Sequence, residues 1–180
     1  FFKDVDLIIH AGDIGGKHVL DELREFKKVV AVYGNCDDKY LDDEVKGLLS
    51  FQIEDVNILL THIGGYPKHY NKDLIPYFKQ EKPDIFICGH SHILKVIYDK
   101  DYSFLVVNPG SCGHQGFHTV CTLVRFEIDG KDIKANRTEC LEKICFVSSN
   151  QQYFEEFSAE TNAKVFGASY ADFDMDAIRD

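Results

Sequence analysis

The chain has 180 residues, 44% of them hydrophobic and 28% charged, the composition of a globular domain long enough to bury one substantial core. Its formal net charge of −10 works against attraction to phosphate backbones and anionic lipid surfaces, so neither stable nucleic-acid binding nor a membrane partner is expected. No apolar stretch approaches the roughly 20 residues of a membrane span, and no basic start followed by an apolar core marks a secretory signal.

The opening Phe1-Phe2-Lys3-Asp4 reads as the tail of a helix entering a strand, and the only methionine is Met175, so the sequence is expected to begin inside a domain. Val5 to His10 is a largely apolar run ending in Ala11-Gly12-Asp13. It predicts a strand buried on both faces that delivers a carboxylate at its C-terminal end. Between Lys17 and Lys28, Val19, Leu20, Leu23 and Phe26 keep helical spacing opposite Asp21, Glu22, Arg24 and Glu25. Val29 to Tyr33 predicts a second strand, stopped by Gly34-Asn35, and the three elements make a right-handed βαβ unit with parallel strands.

Further on, Phe51 to Glu54 and Asn57 to Thr61 flank Asp55-Val56 as a hairpin, and a loop rich in Gly, Tyr and Lys follows Thr61-His62-Ile63-Gly64-Gly65. A short helix is expected over Asp73 to Gln80, stopping before Pro83. Asp84 to Cys88 is another apolar strand, ending at Gly89-His90-Ser91-His92. Ile93 to Tyr98, Phe104 to Val107 and Val120 to Ile128 then read as antiparallel strands. The expected fold class is α/β, with two mixed β-sheets packed face to face and flanked by helices, an αββα sandwich.

Six cysteines (Cys36, Cys88, Cys112, Cys121, Cys140 and Cys145) are spread along the chain without a CxxC pair, several inside apolar runs. That is the pattern of buried reduced thiols, and it predicts a cytoplasmic protein. Asn136-Arg137-Thr138 matches a glycosylation acceptor but carries no weight without a secretory signal.

Placement singles out Asp13, Asn35, His62, His90 and His92, because each follows directly on an apolar strand. In open α/β sheets the crevice beyond the carboxyl ends of the strands is where ligands bind. Imidazole nitrogens with carboxylate and amide oxygens suit borderline divalent ions such as manganese, iron, cobalt, nickel and zinc. His90 and His92 flank a single serine, so in an extended segment both rings point to one side. Each piece has a plain reading by itself. Gly12-Asp13 and Gly34-Asn35-Cys36-Asp37 are turn or cap sequences, His62 is a loop histidine, and Asn108-Pro109-Gly110-Ser111 is an ordinary turn. Those readings do not explain why all five donors fall at strand ends.

The ordered set Gly12-Asp13, Gly34-Asn35-Cys36-Asp37, Thr61-His62, Gly89-His90-Ser91-His92 and Asn108-Pro109-Gly110-Ser111 resembles the calcineurin-like metallophosphoesterase superfamily, specifically its small prokaryotic phosphodiesterase branch. The resemblance covers residues 1–142, and the metallophosphoesterase domain is expected there, without its first strand and first helix. Residues 143–180 form a C-terminal extension with no functional reading. In it Ile144-Cys145-Phe146-Val147 predicts a strand, Gln151 to Phe157 a short helix, and Asp172-Phe173-Asp174-Met175-Asp176 an acidic end lacking the Gly and Glu of a calcium loop.

The resemblance implies two divalent metal ions, with manganese expected first. Asp13 would bridge them, Asn35, His62 and His90 would complete one, and His92 would serve the other. The superfamily's opening Asp-x-His motif, which supplies the remaining ligands, does not occur here. Either it precedes Phe1, which the opening residues favour, or one metal site is lost and the scaffold kept. The implied chemistry is hydrolysis of phosphodiesters or activated phosphomonoesters by attack of metal-bound hydroxide. Asn35 would contact a phosphoryl oxygen and Asp37 would orient its neighbours. Cys36 stands where many members carry a proton-donating histidine, which leaves protonation of the leaving group without an assigned residue. The implied partner is a small phosphoester substrate, and a homo-oligomer is compatible with all of this. The alternative is a catalytically weak scaffold of the same fold that acts through protein–protein contacts. His18, His69, His114 and His118 read as loop histidines, the last two bordering the cleft, and Lys68 in the Gly64 to Tyr70 loop is a candidate phosphate contact.

Overall fold

The computed structural model describes residues 2–37, 43, 45–114, 116 and 120–128, together with the backbone of 145–148. The first apolar run becomes β1 (Leu7–His10), the amphipathic stretch α1 (Lys17–Phe26), and the next run β2 (Lys28–Ala31). β1 and β2 pair in parallel from Leu7 opposite Lys28 to His10 opposite Ala31, so the βαβ unit forms as expected. β2 ends earlier than the apolar run because Val32 leaves the ladder for an isolated bridge to Lys46. α1 turns Leu20 inward, where it is fully buried with Ile14, Ala31 and Val45.

The hairpin consists of β3 (Leu48–Ile53) and β4 (Val56–Thr61). Its turn falls on Glu54-Asp55, one residue before the expected position, since Ile53 pairs with Val56. Glu54 takes the left-handed conformation (φ 49°), which leaves the β-branched Val56 in extended backbone that suits it. After a small ribbon of β5 (Gly65–Tyr66) and β6 (His69–Tyr70), α2 (Ile75–Glu81) follows a single 3₁₀ turn at Lys72–Leu74. The chain then runs through β7 (Ile85–Ile87), β8 (Leu94–Asp99) and β9 (Phe104–Pro109).

These strands make one five-stranded sheet in the order β3-β4-β7-β9-β8. β9 was expected to be antiparallel, and it is so towards β8, but it lies parallel to β7 on its other side. The short hairpin sends β8 to the sheet edge, and β9 returns between β8 and β7. The period-two alternation of each central strand sorts its side chains onto two faces. Ile58, Leu60, Ile85, Ile87, Leu105 and Val107 face a core that also takes Ile9, Val30 and Val124. Leu59, Phe86, Val106 and Phe104 face the other way, against Leu74 and Phe78 around α2. The layers are therefore α1, the β1–β2 pair with β10 (Thr122–Arg125), the five-stranded sheet, and α2, which is the αββα sandwich.

β10 pairs antiparallel with β11 (Cys145–Ser148), so the strand expected near residue 144 lies beyond position 142 and is laddered to the domain. The expected helix over Gln151 to Phe157, the acidic end and His118 lie outside the described residues. Among the described residues no helix is long and apolar enough to cross a membrane.

Candidate metal centre

Three loops leave the carboxyl ends of parallel strands and meet at His62, the residue after β4. The ring is buried, with 4% of its surface exposed. Its Nδ1 donates to the Ala11 carbonyl at 2.7 Å, from the loop after β1. Its backbone carbonyl accepts from Gly89 N–H at 3.0 Å, from the loop after β7. A carbonyl only accepts, so Nδ1 must carry the proton, and a neutral ring then presents a bare lone pair at Nε2. Nε2 faces Oδ1 of Asn35 at 3.0 Å and Oδ2 of Asp13 at 3.3 Å.

Three electron-rich atoms thus point at one another, and this repels unless a proton or a cation sits among them. Adjacent donors around a divalent ion at about 2.1 Å stand roughly 3.0–3.4 Å apart, the spacing found here. The donor set of imidazole, carboxylate and amide oxygen fits such an ion. Among the described residues no three His, Cys, Asp or Glu side chains form a complete cage, and the third donor at this point is the Asn35 amide.

His90 stands edge-on to His62, with ring centroids 5.2 Å apart and planes at 77°. His90 and His92 line the same open cavity of about 440 Å³ as Asp13 and Asn35. The expected donors therefore gather at one rim, with His62 beneath and the other four around the opening. Asp37, in contrast, does not line this cavity. Its Oδ2 accepts from the N–H of Ile14 and of Gly34, both at 2.9 Å, and its Oδ1 from Gly15 at 3.0 Å. Burial alone would raise its carboxyl, but the three backbone donors and nearby His10 outweigh that and hold it below the usual carboxylate range. Asp37 ties the loop after β1 to the loop after β2, which seats Asp13 against Asn35.

The backbone is strained where the donors are. Asp13, His90 and His92 have φ of 55°, 65° and 56°, a left-handed conformation costly for residues with a Cβ and concentrated at functional sites. Glycine is required beside them. At Gly12 (φ 94°) a Cβ would stand 2.5 Å from Nδ1 of His62, and at Gly34 it would overlap the Asp13 carboxylate. Asp13 Oδ1 also accepts from Cys36 N–H at 2.9 Å. The negative charge of Asp13 beside the exposed Cys36 sulfur pushes that thiol up, so it stays protonated at neutral pH.

Two further parts of the site were given no role from the sequence. His10 ends β1 with its Nδ1 buried and unpartnered, and burial lowers its pKa against the pull of Asp37. Its signal was a polar residue closing a run otherwise apolar on both faces. Asn108 was read as a turn former, yet it is buried and donates to the Gly89 carbonyl at 2.8 Å and to Ser91 Oγ at 3.1 Å. It thereby fixes the His90-Ser91-His92 segment. His114 lies instead against Cys121, Nδ1 to Sγ 3.5 Å, and His69 beside the Tyr66 ring.

An αββα sandwich that brings carboxylate, amide and imidazole groups to the carboxyl rim of its parallel strands is the architecture of the metallophosphoesterase class. Residues 1–131 match the model of the calcineurin-like phosphoesterase superfamily domain, and the chain belongs to that superfamily, whose members use divalent metals. It is 40% identical over 111 residues to a probable metallophosphoesterase of Methanocaldococcus jannaschii, covering 61% of this chain and 55% of the relative. It is 33% identical over 112 residues to a probable metallophosphoesterase of Methanothermobacter thermautotrophicus, covering 61% of this chain and 62% of that protein. The chain thus spans less than two thirds of either relative. Among solved structures, the fold is similar to an archaeal phosphodiesterase (TM-score 0.58, 22% identity, 81% of this chain and 84% of the other). It is equally similar to zinc-complexed Vps29 from Entamoeba histolytica (TM-score 0.56, 22% identity, 81% and 83%).

Proposed function

We propose that the chain is the catalytic unit of a metal-dependent phosphoesterase acting on small phosphodiesters or activated phosphomonoesters. The observation that carries this reading is the convergence of the Asp13 carboxylate, the Asn35 amide oxygen and Nε2 of His62. Divalent ions, when bound, lower the pKa of water toward neutrality and neutralise charge on phosphoryl oxygens. Asp13 would hold both ions, with Asn35, His62 and His90 on one and His92 on the other. Manganese is proposed first, with iron, cobalt, nickel and zinc fitting the same donors.

The residues themselves do the positioning. The Ala11 carbonyl fixes the tautomer of His62 and turns its lone pair toward the rim. Asp37 clamps the two loops that carry Asp13 and Asn35. The Asn35 amide nitrogen donates to Cys36 Sγ at 3.4 Å and has a second N–H to offer a phosphoryl oxygen. The catalytic unit is proposed to span residues 1–142, with 143–180 as an extension, in a reducing cytoplasmic setting that suits a thiol as deeply buried as Cys88.

The test is hydrolysis of a chromogenic phosphodiester by the full-length protein with and without chelator. A rate that chelation abolishes and manganese restores supports the reading, and equal rates in both tubes end it. The rival reading, a scaffold that works through its surface, draws on the likeness in fold to Vps29. Strained backbone at three donors speaks against it, since a scaffold gains nothing from that cost. Substoichiometric metal in the full-length protein would favour the scaffold.

A further inference from the structure

We infer that Ile93 is the specificity wall of this site, holding the apolar organic arm of an ester that carries a single phosphoryl group. The inference rests on the functional reading above and narrows it to a substrate class. Isolated exposed isoleucines are ordinary; this one differs in where it stands and in how it is held. Ile93 lines the same cavity as Asp13, Asn35, His90 and His92, and with 60% of its surface exposed it is the most open large apolar side chain among the described residues.

Its position is built. The Ile93 N–H donates to Ser91 Oγ at 3.3 Å, and Ser91 Oγ accepts from Asn108 Nδ2 at 3.1 Å. Asn108 is 5% exposed and is anchored a second time on the Gly89 carbonyl. The left-handed turns at His90 and His92 project the next residue outward at a cost that the Asn108 network sustains. A rigid apolar surface beside polar donors is how pockets fix an organic group while a few polar atoms orient it.

Size and charge narrow the class further. A cavity of about 440 Å³ falls within the roughly 300–1,000 Å³ of sites that enclose whole small molecules, so it has room for an organic arm beside one phosphoryl group. Among the described residues the lining holds no lysine or arginine, and the chain carries a net charge of −10. Among the described lining residues, further phosphates would meet no cationic side chain, which disfavours polyphosphates and nucleic acid. Lys95, two residues beyond Ile93, has its ammonium over the Tyr66 ring at 4.4 Å.

The experiment measures calorimetric binding of phenylphosphonate and methylphosphonate to the manganese-loaded full-length protein, native and Ile93→Ala, with Ile93→Leu as the conservative variant. The native protein is expected to prefer phenylphosphonate by about tenfold, and Ile93→Ala to shrink that preference about fivefold with methylphosphonate affinity unchanged. Ile93→Leu should keep the preference. An unchanged preference in Ile93→Ala, with both compounds still bound, overturns the role of Ile93 and leaves the phosphoesterase reading standing. Failure of the native protein to bind either compound overturns that reading and the inference with it.

Discussion

The face of the central sheet that packs on α2 and the rim at its carboxyl end make opposite uses of the same strands. Beneath the sheet, Tyr70, Phe78, Phe86 and Phe104 pack edge to face, with ring centroids 4.9–5.9 Å apart, and the one hydroxyl among them is satisfied by Asp99 at 2.6 Å. At the rim, Nε2 of His62 faces two side-chain oxygens, three of the expected metal ligands sit in left-handed backbone, and the His10 nitrogen is left without a partner. One region is a stability reserve built from apolar burial. The other spends part of that reserve on an arrangement that only a bound cation rewards.

That contrast breaks if both regions respond alike to mutation. Phe86→Ala, at a fully buried ring, should lower stability by about 3–5 kcal/mol in urea unfolding while the KM of the folded fraction stays constant. Asp13→Asn should cut hydrolysis by about 100-fold, about 2.7 kcal/mol. Its unfolding midpoint in chelator should hold, because the amide oxygen still accepts from Cys36 N–H. A comparable loss of stability there would erase the distinction.

Tyr70→Phe sharpens the description of the core. Burial, reinforced by Asp99, pushes the Tyr70 hydroxyl well above its usual range. Its removal leaves a carboxylate oxygen of the buried Asp99 short of a donor and should cost about 1–3 kcal/mol, read by thermal unfolding. Asp37→Asn gives the smallest effect, and one that depends on pH. Its carboxyl lies below the ordinary value of 3.8 when folded, so its contribution is fully present above that value and disappears as pH falls through the depressed one. The melting-temperature difference between native and variant should stay flat above pH 5 and close below about pH 4.

Much of this was legible in the sequence because it is local. Apolar runs became strands, and glycine next to Asp13, Asn35 and His90 marked positions where Cβ-free backbone must pass close by. What escaped was set by partners far along the chain. Asp37 was read as orienting its neighbours, but no local pattern says which, and Ile14 and Gly15 lie 23 and 22 residues away. Asn108 looked like a turn former, but its partner Gly89 lies 19 positions back. The place of β9 between β7 and β8 followed from how a hairpin closes onto a sheet, which no local pattern encodes.

His62 joins the loops after β1, β2 and β7 through its two ring nitrogens and its carbonyl, and those loops belong to different layers of the sandwich. Whatever occupies the space beside Nε2 is therefore a rivet between layers. Occupancy and docking become one linked equilibrium, in which each tenfold rise in free ion above the dissociation constant adds about 1.4 kcal/mol to folding. The heat needed to part the sandwich is then a gauge of how full the rim is.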